Sequence, residues 1–321
     1  MTMAQEFINK AAWLTGPKET PFEVGPGPDQ NHPKADEIVI KVAYLAINPS
    51  EWKVQDTALL PLQYPHVLGS DVAGEVVKIG EGVTRFKAGD RVMGHCLGLM
   101  YGGAKHGGFQ TYTTCREVVV SKIPDDLSFA KASVLPLALS TSMVALFELM
   151  QLSLPSTSPI AAGYKVIATA STRNHDYVKA LGATQVFDYS TPDIATELTD
   201  KLKGTDCAGV FDAIGSEDTK SISAQISGEV GGGVLPVVTF PLPSGIPENV
   251  KPVSVYATNP GLVENHVGAK LWRDYVFGAL ETGQLKAKPE PKIVRGGLDV
   301  VQKAVDMQKK GVSAQKIVVE L

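Results

Sequence analysis

The sequence predicts an α/β protein in which an all-β part precedes a part with alternating strands and helices. Up to residue 124, short β-branched runs ended by turn residues recur roughly every ten positions, which is typical of a small barrel or sandwich. After residue 124, strand-like and helix-like segments alternate, which indicates βαβ units and a parallel sheet. The chain has 321 residues, 44% of them hydrophobic, which suffices for one large domain or two ordinary ones.

β-Branched runs and turn signals locate the strands of the first part. The run at 37–46 has the length of a strand, and a second run at 72–80 ends at the turn Gly80-Glu81-Gly82. Further strands are predicted at 88–93, 108–114 and 118–120.

Helix signals begin directly after the β-rich part. A helical region at 128–151 is interrupted by Pro136, and we expect Ser128 and Thr141 to cap its two pieces. The remaining segments alternate in type, with helices predicted at 176–181, 194–202, 267–283 and 298–311, and strands predicted at 164–170, 185–189, 208–213 and 316–321.

Charge and cysteine content exclude several classes of protein. Acidic residues number 34 and basic residues 30, so the net charge is −4, whereas a dedicated nucleic-acid binder carries a basic surplus. Three cysteines stand far apart in the sequence without a CxxC pair, so no disulfide is predicted: Cys96, Cys115 and Cys207. The sequence shows no signal peptide and no run of about 20 apolar residues, so we expect a cytoplasmic protein that does not cross a membrane.

Several motifs resemble those of the medium-chain dehydrogenase/reductase superfamily. They are YPHVLGSDVAGEVVKIG at 64–80, FKAGDRV at 86–92, INPSEWK at 47–53, GFQTY at 108–112, LGA at 181–183 and GVSAQKIVV at 311–319. The resemblance covers nearly the whole chain. It is strongest to a fungal zinc-independent branch that includes trans-acting enoyl reductases of the lovastatin type.

The resemblance implies a division of the chain into two domains. We expect a GroES-like catalytic β domain at 1–124 and a Rossmann-like domain, a doubly wound parallel sheet that holds the cofactor, at 125–284. The end of the chain, 285–321, should return to the catalytic domain. The implied chemistry is hydride transfer from NADPH.

The positions that hold zinc in related alcohol dehydrogenases carry other residues here. The matching positions are Pro49-Ser50 and Gly69-Ser70-Asp71, where the zinc enzymes have a cysteine and a Gly-His-Glu. A catalytic zinc needs three protein ligands and one open position, so we predict no metal. The pair His95-Cys96 and His106 are interpreted as loop residues rather than ligands.

The glycine-rich turn of a dinucleotide-binding domain is missing from the sequence. No GxGxxG or GxGxxA occurs, and the interval 151–163 holds no strand, turn and helix where relatives have a turn such as GGSSSVG. About 20 further residues would be needed for that strand and helix. The segment 160–163 resembles the tail of the lost helix. Natural loss, an exon missed in the gene and deliberate deletion all remain open as causes.

The end of the predicted strand 164–170 favours NADPH over NADH. The residues Ser171, Thr172, Arg173 and Asn174 offer hydroxyls and a guanidinium, which suit a 2′-phosphate, and no carboxylate stands among them. Tyr189 follows the next strand and is expected to pack the adenosine. The alternative is a solvated loop with an N-cap at Asn174 and a half-buried tyrosine.

The resemblance places the segment after the strand 37–46 against the nicotinamide and the substrate; its members are Asn48, Ser50, Glu51, Trp52 and Lys53. Lys53 is the candidate catalytic residue, because an ammonium can donate a proton or hydrogen-bond to a thioester carbonyl. The alternative is that Lys53 pairs with a surface carboxylate such as Asp56. Trp52 is interpreted as a core residue.

A second stretch resembles the substrate-lining segment of the family and consists of Leu135, Pro136, Leu137, Ala138, Leu139, Ser140, Thr141 and Ser142. Thr141 is its best polar contact, although it can equally cap a helix. By the same resemblance, Val238 and Thr239 reach the nicotinamide carboxamide, and Val312 and Ser313 form a final cofactor contact.

Two functions from different classes follow. The first is an NADPH-dependent reductase of an activated C=C bond. Its substrate would be an enoyl thioester, free or bound to a carrier protein, in polyketide or related secondary metabolism. A quinone or enone reductase is its nearest variant. The second is a degenerate, non-catalytic relative that cannot bind a dinucleotide because the glycine-rich turn is absent. A monomer or a homodimer is expected.

Overall fold

The structure is a computed structural model that describes residues 7–155 and 163–321. The strands are β1 Lys10–Leu14, β2 Glu23–Pro26, β3 Glu37–Ala46, β4 His66–Val67, β5 Asp71–Ile79, β6 Arg91–His95, β7 Tyr112–Arg116, β8 Val120–Lys122, β9 Ile167–Thr169, β10 Gln185–Phe187, β11 Gly233–Val237, β12 Val250–Ser254, β13 Glu290–Arg295 and β14 Gln315–Glu320.

The helices are α1 Pro49–Thr57, α2 Phe129–Ala132, α3 Pro136–Met143, α4 His175–Ala180, α5 Ile194–Leu202, α6 Glu217–Glu229, α7 Asn259–Leu262, α8 Val267–Asp274, α9 Val276–Glu281 and α10 Val301–Lys309. A π-helical turn, Val144–Leu149, follows α3. Short 3₁₀ turns lie at Gly103–His106, Glu117–Val119, Thr172–Asn174 and Gly297–Val300.

One compact unit, unit 1, combines Met1–Ser140 with Pro260–Leu321. Its main sheet has the order β13-β14-β3-β5-β6-β8, and β7 also pairs with β3. Only β13 and β14 run parallel, and the remaining pairs are antiparallel. A smaller antiparallel sheet has the order β2-β1-β4. The closing strand β14 pairs with β3, so the end of the chain returns to the β-rich unit.

Strand β3 forms the centre of this unit because its β-branched and aliphatic residues suit a buried, pleated surface. Its pairing with β5 is irregular after Val39 and after Val42. At Gly74 of β5, a Cβ atom would lie 2.0 Å from the carbonyl oxygen of Lys41, so only glycine permits this close approach of two backbones.

Helix α10 covers one side of the unit 1 core. Its residues Val301, Ala304 and Val305 recur at i, i+3 and i+4 and are fully buried, which is the pattern of an amphipathic helix. They belong to the same apolar cluster as Ile317 and Val319 of β14. The closing strand is therefore held both by the sheet and by helix packing.

The second compact unit, unit 2, is Thr141–Asn259. Its strands pair in parallel, as predicted, but they form two separate two-stranded sheets, β10-β9 and β11-β12. The predicted strand 208–213 is wrong. Among the described residues it makes only an isolated parallel bridge between Asp212 and Val237 and no continuous pairing with a neighbouring strand.

Apolar residues directly before strand β9 of unit 2 are unusually exposed for a parallel sheet. Strands of such sheets are normally covered on both faces, yet Val166 and Tyr164 are 49% and 41% exposed. The predicted strand 164–170 is correspondingly short, three residues in β9. The segment 160–163, interpreted as the tail of a lost helix, lies outside the described residues except for Gly163.

The units divide at residues 140 and 260, whereas the sequence analysis expects boundaries at 124 and 284. The difference arises because the backbone N–H of Leu137 and the hydroxyl of Ser140 both bond within unit 1. Ser128 caps α2 as predicted, since its Oγ accepts the N–H of Lys131 at 3.3 Å. Thr141 lies inside α3 and is not a cap, so that prediction is wrong.

One apolar run passes a length and composition test for a membrane-spanning helix, contrary to the sequence analysis. It is Phe129–Leu149, 21 residues with a mean hydropathy of 1.6. Half of it is buried inside the protein, and the non-helical residues between α2 and α3 interrupt it. A core helix of a soluble protein passes the same test, so the run is weak support for a membrane segment.

Candidate functional site

A fully buried carboxylate, that of Asp71 at the start of β5, organises the polar interior of unit 1. It accepts the backbone N–H of Leu137 at 2.6 Å and the side-chain amide of Asn48 at 2.9 Å. It also forms an ion pair with the ammonium of Lys316, which in turn donates to the carbonyl oxygen of Val134 at 3.1 Å. Three separate segments of the chain thus meet at one carboxylate.

These three segments carry many of the residues that the resemblance assigns to the site. Asn48 begins the segment assigned to the nicotinamide, and Leu137 lies in the stretch assigned to the substrate. Lys316 was missed by the sequence analysis because its partner is 245 positions away. The available signal was a lysine directly before the apolar run Ile317–Val319 of the closing strand.

Helix α1 places the first of these segments. Asn48 precedes Pro49, which suits the first turn of a helix because its missing N–H needs no acceptor there. The backbone N–H of Asn48 donates to Oε2 of Glu51 at 2.7 Å. The side-chain amide of Asn48 donates separately to Asp71.

Glu51 is a buried acid beside a buried charge. Burial first, and then the neighbouring negative charge of Asp71, raise the pKa of Glu51 from 4.5 to about 7. Its second oxygen, Oε1, is sealed from solvent and has no partner among the described residues; the same holds for Ser50 Oγ and Trp52 Nε1. Three consecutive residues of the predicted site therefore carry buried polar atoms that await water or a ligand.

Lys53 follows on the same helix and is half-buried. Its Nζ lies 5.7 Å from the centroid of the Trp52 ring. Asp56, the alternative partner of Lys53, forms an ion pair with the Nζ of Lys309 at 2.6 Å. Trp52 packs against the main apolar cluster, which agrees with its interpretation as a core residue.

The residues of the substrate-lining stretch, 135–142, differ in how far they are buried. Leu135, Pro136 and Ser140 are buried, whereas Ala138 is exposed. The other members, Leu137, Leu139, Thr141 and Ser142, are half-buried. The last two belong to unit 2.

His95 is not a loop residue, so its interpretation from sequence is wrong. It ends β6, is 1% exposed, and lies opposite Asp71 in the sheet. Its Nδ1 is 3.0 Å from Ser140 Oγ, which also accepts the Nε1–H of Trp272 at 3.0 Å. Burial lowers the pKa of His95 to about 4, so the ring is neutral at physiological pH.

The other residues considered for a metal lie elsewhere in unit 1. His106, in the turn Gly103–His106, is buried with its Nε2 3.2 Å from Oε1 of Glu37. Cys96 and Cys115 are close in space despite their separation in sequence, with 3.6 Å between two free, buried thiols. No group of three or more potential metal ligands occurs within 7–155 or 163–321.

In unit 2 the strand-end residues surround an acid that the sequence analysis missed. Asp188 accepts the N–H of Thr172 at 3.2 Å, and it also binds the Thr172 hydroxyl. Bonds from Ser190 first, and then from Thr172, hold the pKa of Asp188 well below its usual range, so it is anionic. Arg173 is exposed, and the structure gives it no ion pair within the described chain.

The remaining cofactor candidates are placed as follows. Ser171 Oγ accepts the amide of Asn174 at 3.1 Å, while Tyr189 is 59% exposed rather than half-buried. Thr239 Oγ1, next to Val238, donates to the carbonyl oxygen of Gly215 at 2.5 Å. Two further candidates, Val312 and Ser313, lie in unit 1 after α10.

The residues of unit 2 do not fit a whole nicotinamide dinucleotide. A pyrophosphate needs backbone N–H groups of a glycine-rich turn at the start of a helix, and the sequence contains no such turn. The strand that would precede that turn has no counterpart among the described residues, since β9 pairs only with β10. Only the adenosine end, at Ser171 and Arg173, offers suitable groups, and Asp188 opposes a phosphate there.

Comparisons with known proteins agree with the geometry of unit 1. Residues 34–125 match the family described as Alcohol dehydrogenase GroES-like domain. The trans-enoyl reductase himH of Aspergillus japonicus is 44% identical, with 98% of each chain covered. This chain belongs to the enoyl reductase family of the medium-chain dehydrogenase/reductases. The enoyl reductase component lovC of the Aspergillus terreus lovastatin nonaketide synthase is 30% identical over 89% of each chain.

A solved structure of another protein supports the fold of the present chain. The Pseudomonas syringae quinone oxidoreductase superposes with a TM-score of 0.75 at 22% identity, covering 98% of this chain and 100% of that one. The predicted fold class, α/β with a GroES-like domain and a Rossmann-like parallel sheet, is thereby confirmed.

The lengths of two alignments show that one relative has additional residues compared with this chain and that another does not. The himH alignment has 338 positions, so at least 338 − 321 = 17 of them face gaps in this chain. The Emericella nidulans protein named zinc-binding alcohol dehydrogenase domain-containing protein cipB is 41% identical, with 99% of this chain and 100% of that protein covered. Its alignment has only 319 positions, which leaves no room for such an insertion.

The ion pair between Asp71 and Lys316 should dominate the stability of unit 1. Replacing Lys316→Met leaves a buried, uncompensated carboxylate, and we expect a loss of about 3 to 5 kcal/mol in urea unfolding. Adding Asp71→Asn should recover part of that loss. Lys309→Met, which breaks the more exposed pair with Asp56, is the matched control and should cost about 0 to 1 kcal/mol. Equal losses for both lysines would contradict this prediction.

The buried acid Glu51 should make stability fall as the pH rises. Its pKa is higher in the folded state than in the unfolded chain, so the folded state binds the proton more tightly and its advantage, complete below pH 4.5, is lost up to about pH 7. Glu51→Gln removes this titration. Its stability relative to the natural protein should therefore grow between pH 5 and pH 7 by about 2 to 4 kcal/mol and then level off. Glu75→Gln, on the exposed side of β5, serves as control; a difference independent of pH would refute the assignment.

Metal analysis of the purified protein should give no stoichiometric zinc. Ser70 stands at the position of the histidine ligand, and serine is a poor zinc ligand beside cysteine, histidine and carboxylates. Mass spectrometry of the native protein and elemental analysis both measure this. One zinc per chain that survives dialysis against a chelator would overturn the prediction.

Proposed function

We propose that this protein reduces the activated C=C bond of an enoyl thioester in polyketide or related secondary metabolism. The thioester is either free or bound to a carrier protein. The single observation that carries the proposal is the 44% identity to a trans-enoyl reductase along nearly the full chain. We place the activity in the cytoplasm and assign NADPH as the reductant.

The polar framework of unit 1 supports the substrate side of this proposal. Asp71 and Lys316 hold Asn48 and Leu137, which belong to the two segments that the family resemblance assigns to the reaction. Lys53 is the proposed group that hydrogen-bonds the thioester carbonyl or supplies a proton. An ammonium at that position would offset negative charge as it develops on the carbonyl oxygen.

The choice of NADPH depends on the balance of two charges in unit 2. Arg173 is a permanent cation that can bind a 2′-phosphate, whereas Asp188, bonded to Thr172, repels one. We assign NADPH because Arg173 is an exposed cation at the end of the strand, and its attraction for a 2′-phosphate outweighs the repulsion by Asp188 in this proposal.

A second candidate function is a non-catalytic relative that binds no dinucleotide. The specific observation in its favour is the division of the unit 2 strands into two pairs, together with the missing glycine-rich turn. The length of cipB favours natural loss, because a second fungal protein leaves no room for the extra segment. Each missing charge-assisted contact to the pyrophosphate would cost about 1.5 to 3 kcal/mol.

An NADPH fluorescence titration of the natural chain separates the two candidates. The second protein in this titration, the comparison protein, is a variant of this chain. It has a strand, a GGSSSVG turn and a helix inserted between Pro159 and Ile160. Binding and reduction of a crotonyl thioester by the natural chain would support the enzyme. Binding by the comparison protein alone would support the non-catalytic relative. An in-frame segment of that kind in the genomic sequence would instead point to a missed exon.

Two substitutions in the comparison protein test the assignment of NADPH. We expect Arg173→Ala to weaken NADPH binding roughly ten- to a hundredfold, equivalent to about 1.5 to 3 kcal/mol, and to leave NADH nearly unchanged. Asp188→Asn should tighten NADPH, because it removes a negative charge near the 2′-phosphate. Lys179→Ala, an exposed cation on α4, is the control. Equal weakening of both cofactors by Arg173→Ala would mean a structural role.

A further inference from the structure

Three side chains in the interior of unit 1 form a chain of hydrogen bonds with a defined direction. Trp272 and Ser140 are fully buried, and His95 is 1% exposed. Trp272 Nε1–H lies 3.0 Å from Ser140 Oγ, and Ser140 Oγ lies 3.0 Å from His95 Nδ1. Because an indole N–H can only donate, Ser140 must accept from Trp272.

The direction of the first bond determines the tautomer of the histidine. Ser140 Oγ accepts from Trp272, and its own proton has one acceptor among the described residues, His95 Nδ1. All three groups are satisfied only when Ser140 donates to Nδ1. The imidazole of His95 then carries its proton on Nε2.

The Nε2–H of His95 has no acceptor within the described chain. The hydrogen bond of the ring is made by Nδ1, and Nε2 is not among the unpartnered side-chain atoms that are sealed from solvent. A histidine that is otherwise enclosed thus presents one polar atom outward. An unsatisfied donor in such surroundings is costly, and an acceptor from outside the chain would offset that cost.

The surroundings of His95 favour a neutral acceptor. Asp71 lies opposite His95 in the sheet and carries a full charge, which Lys316 balances. The balanced pair leaves no net positive charge that would attract an anionic ligand, whereas a neutral carbonyl oxygen needs only the N–H donor. Ser140, which orients the ring, belongs to the stretch that the family resemblance assigns to the substrate, and Leu137 of the same stretch is bound to Asp71.

We propose that His95 Nε2–H donates a hydrogen bond to the carbonyl oxygen of the enoyl thioester, and that Ser140 and Trp272 are positioning residues that fix its tautomer. The inference rests on the substrate class of the proposed function. Such a bond would strengthen as negative charge develops on that oxygen, so it would favour the transition state over the ground state.

Ring-nitrogen NMR of the natural protein labelled with ¹⁵N-histidine tests the proposal without any cofactor. The probe is S-crotonyl-N-acetylcysteamine, and its control is the S-butyl thioether, which lacks the thioester carbonyl. The His95 signals are identified by their loss in His95→Gln. We expect the Nε2–H tautomer in the free protein and a saturable shift of Nε2 with the thioester alone.

Matched variants give the second readout, the dissociation constant of the same thioester. Hydrogen-bond energies predict a three- to tenfold weakening for His95→Leu. His95→Gln keeps an N–H near the position of Nε2 and should bind within about threefold of the natural protein. Trp272→Phe should give a mixture of both tautomers, a result that packing alone would not produce.

The outcomes separate this inference from the proposed function. If the thioester binds while Nε2 does not shift, or if the free protein holds the Nδ1–H tautomer, the role of His95 is refuted and the substrate class stands. If the thioester does not bind at all, the substrate class fails, and the role of His95 fails with it. A shift that the thioether also produces would identify a solvent effect and equally refute the role.

Discussion

The buried carboxylate of Asp71 is the interaction on which the interior of unit 1 depends. A charge removed from water is costly unless it is paired and hydrogen-bonded, and Asp71 meets that condition with Lys316, Asn48 and the backbone of Leu137. These partners come from the end, the beginning and the middle of the chain. The ion pair is therefore complete only while β14 is paired with β3, so the closing strand is a condition for the polar interior.

Local patterns predicted most of the elements but few of these contacts. The strand at 37–46 and the helix at 194–202 match the structure to the residue, because β-branching and helical periodicity act over short distances. Lys316 and His95 were missed or misread because their partners lie 245 and 45 positions away in the sequence. Asp188 was missed although its partner Ser190 is only two positions away. The strand predicted at 208–213 failed for a different reason: its residues suit a strand, but a strand needs a neighbour that pairs along its length, and this segment makes only the single bridge between Asp212 and Val237.

The two units differ in how completely their interiors are satisfied. In unit 1, the charges of Asp71 and Lys316 compensate each other and the main sheet is continuous from β13 to β8. In unit 2, the strands form separate pairs and apolar residues such as Val166 remain about half exposed. A missing strand would produce this pattern, since its neighbours lose both backbone partners and apolar cover. The comparable length of cipB shows that the shorter form is not confined to one protein.

Three of the buried polar atoms without partners among the described residues of unit 1 lie together where the family resemblance expects chemistry. Ser50 Oγ, Glu51 Oε1 and Trp52 Nε1 are consecutive, and they follow the Asn48 that Asp71 holds in place. Folded proteins leave few such atoms, and each one needs water, an ion or a ligand as partner. If the segment served only to begin a helix, replacing these polar atoms with apolar groups would make the folded protein more stable. Their presence is therefore better explained by binding than by stability, which supports the proposal that the substrate binds in unit 1.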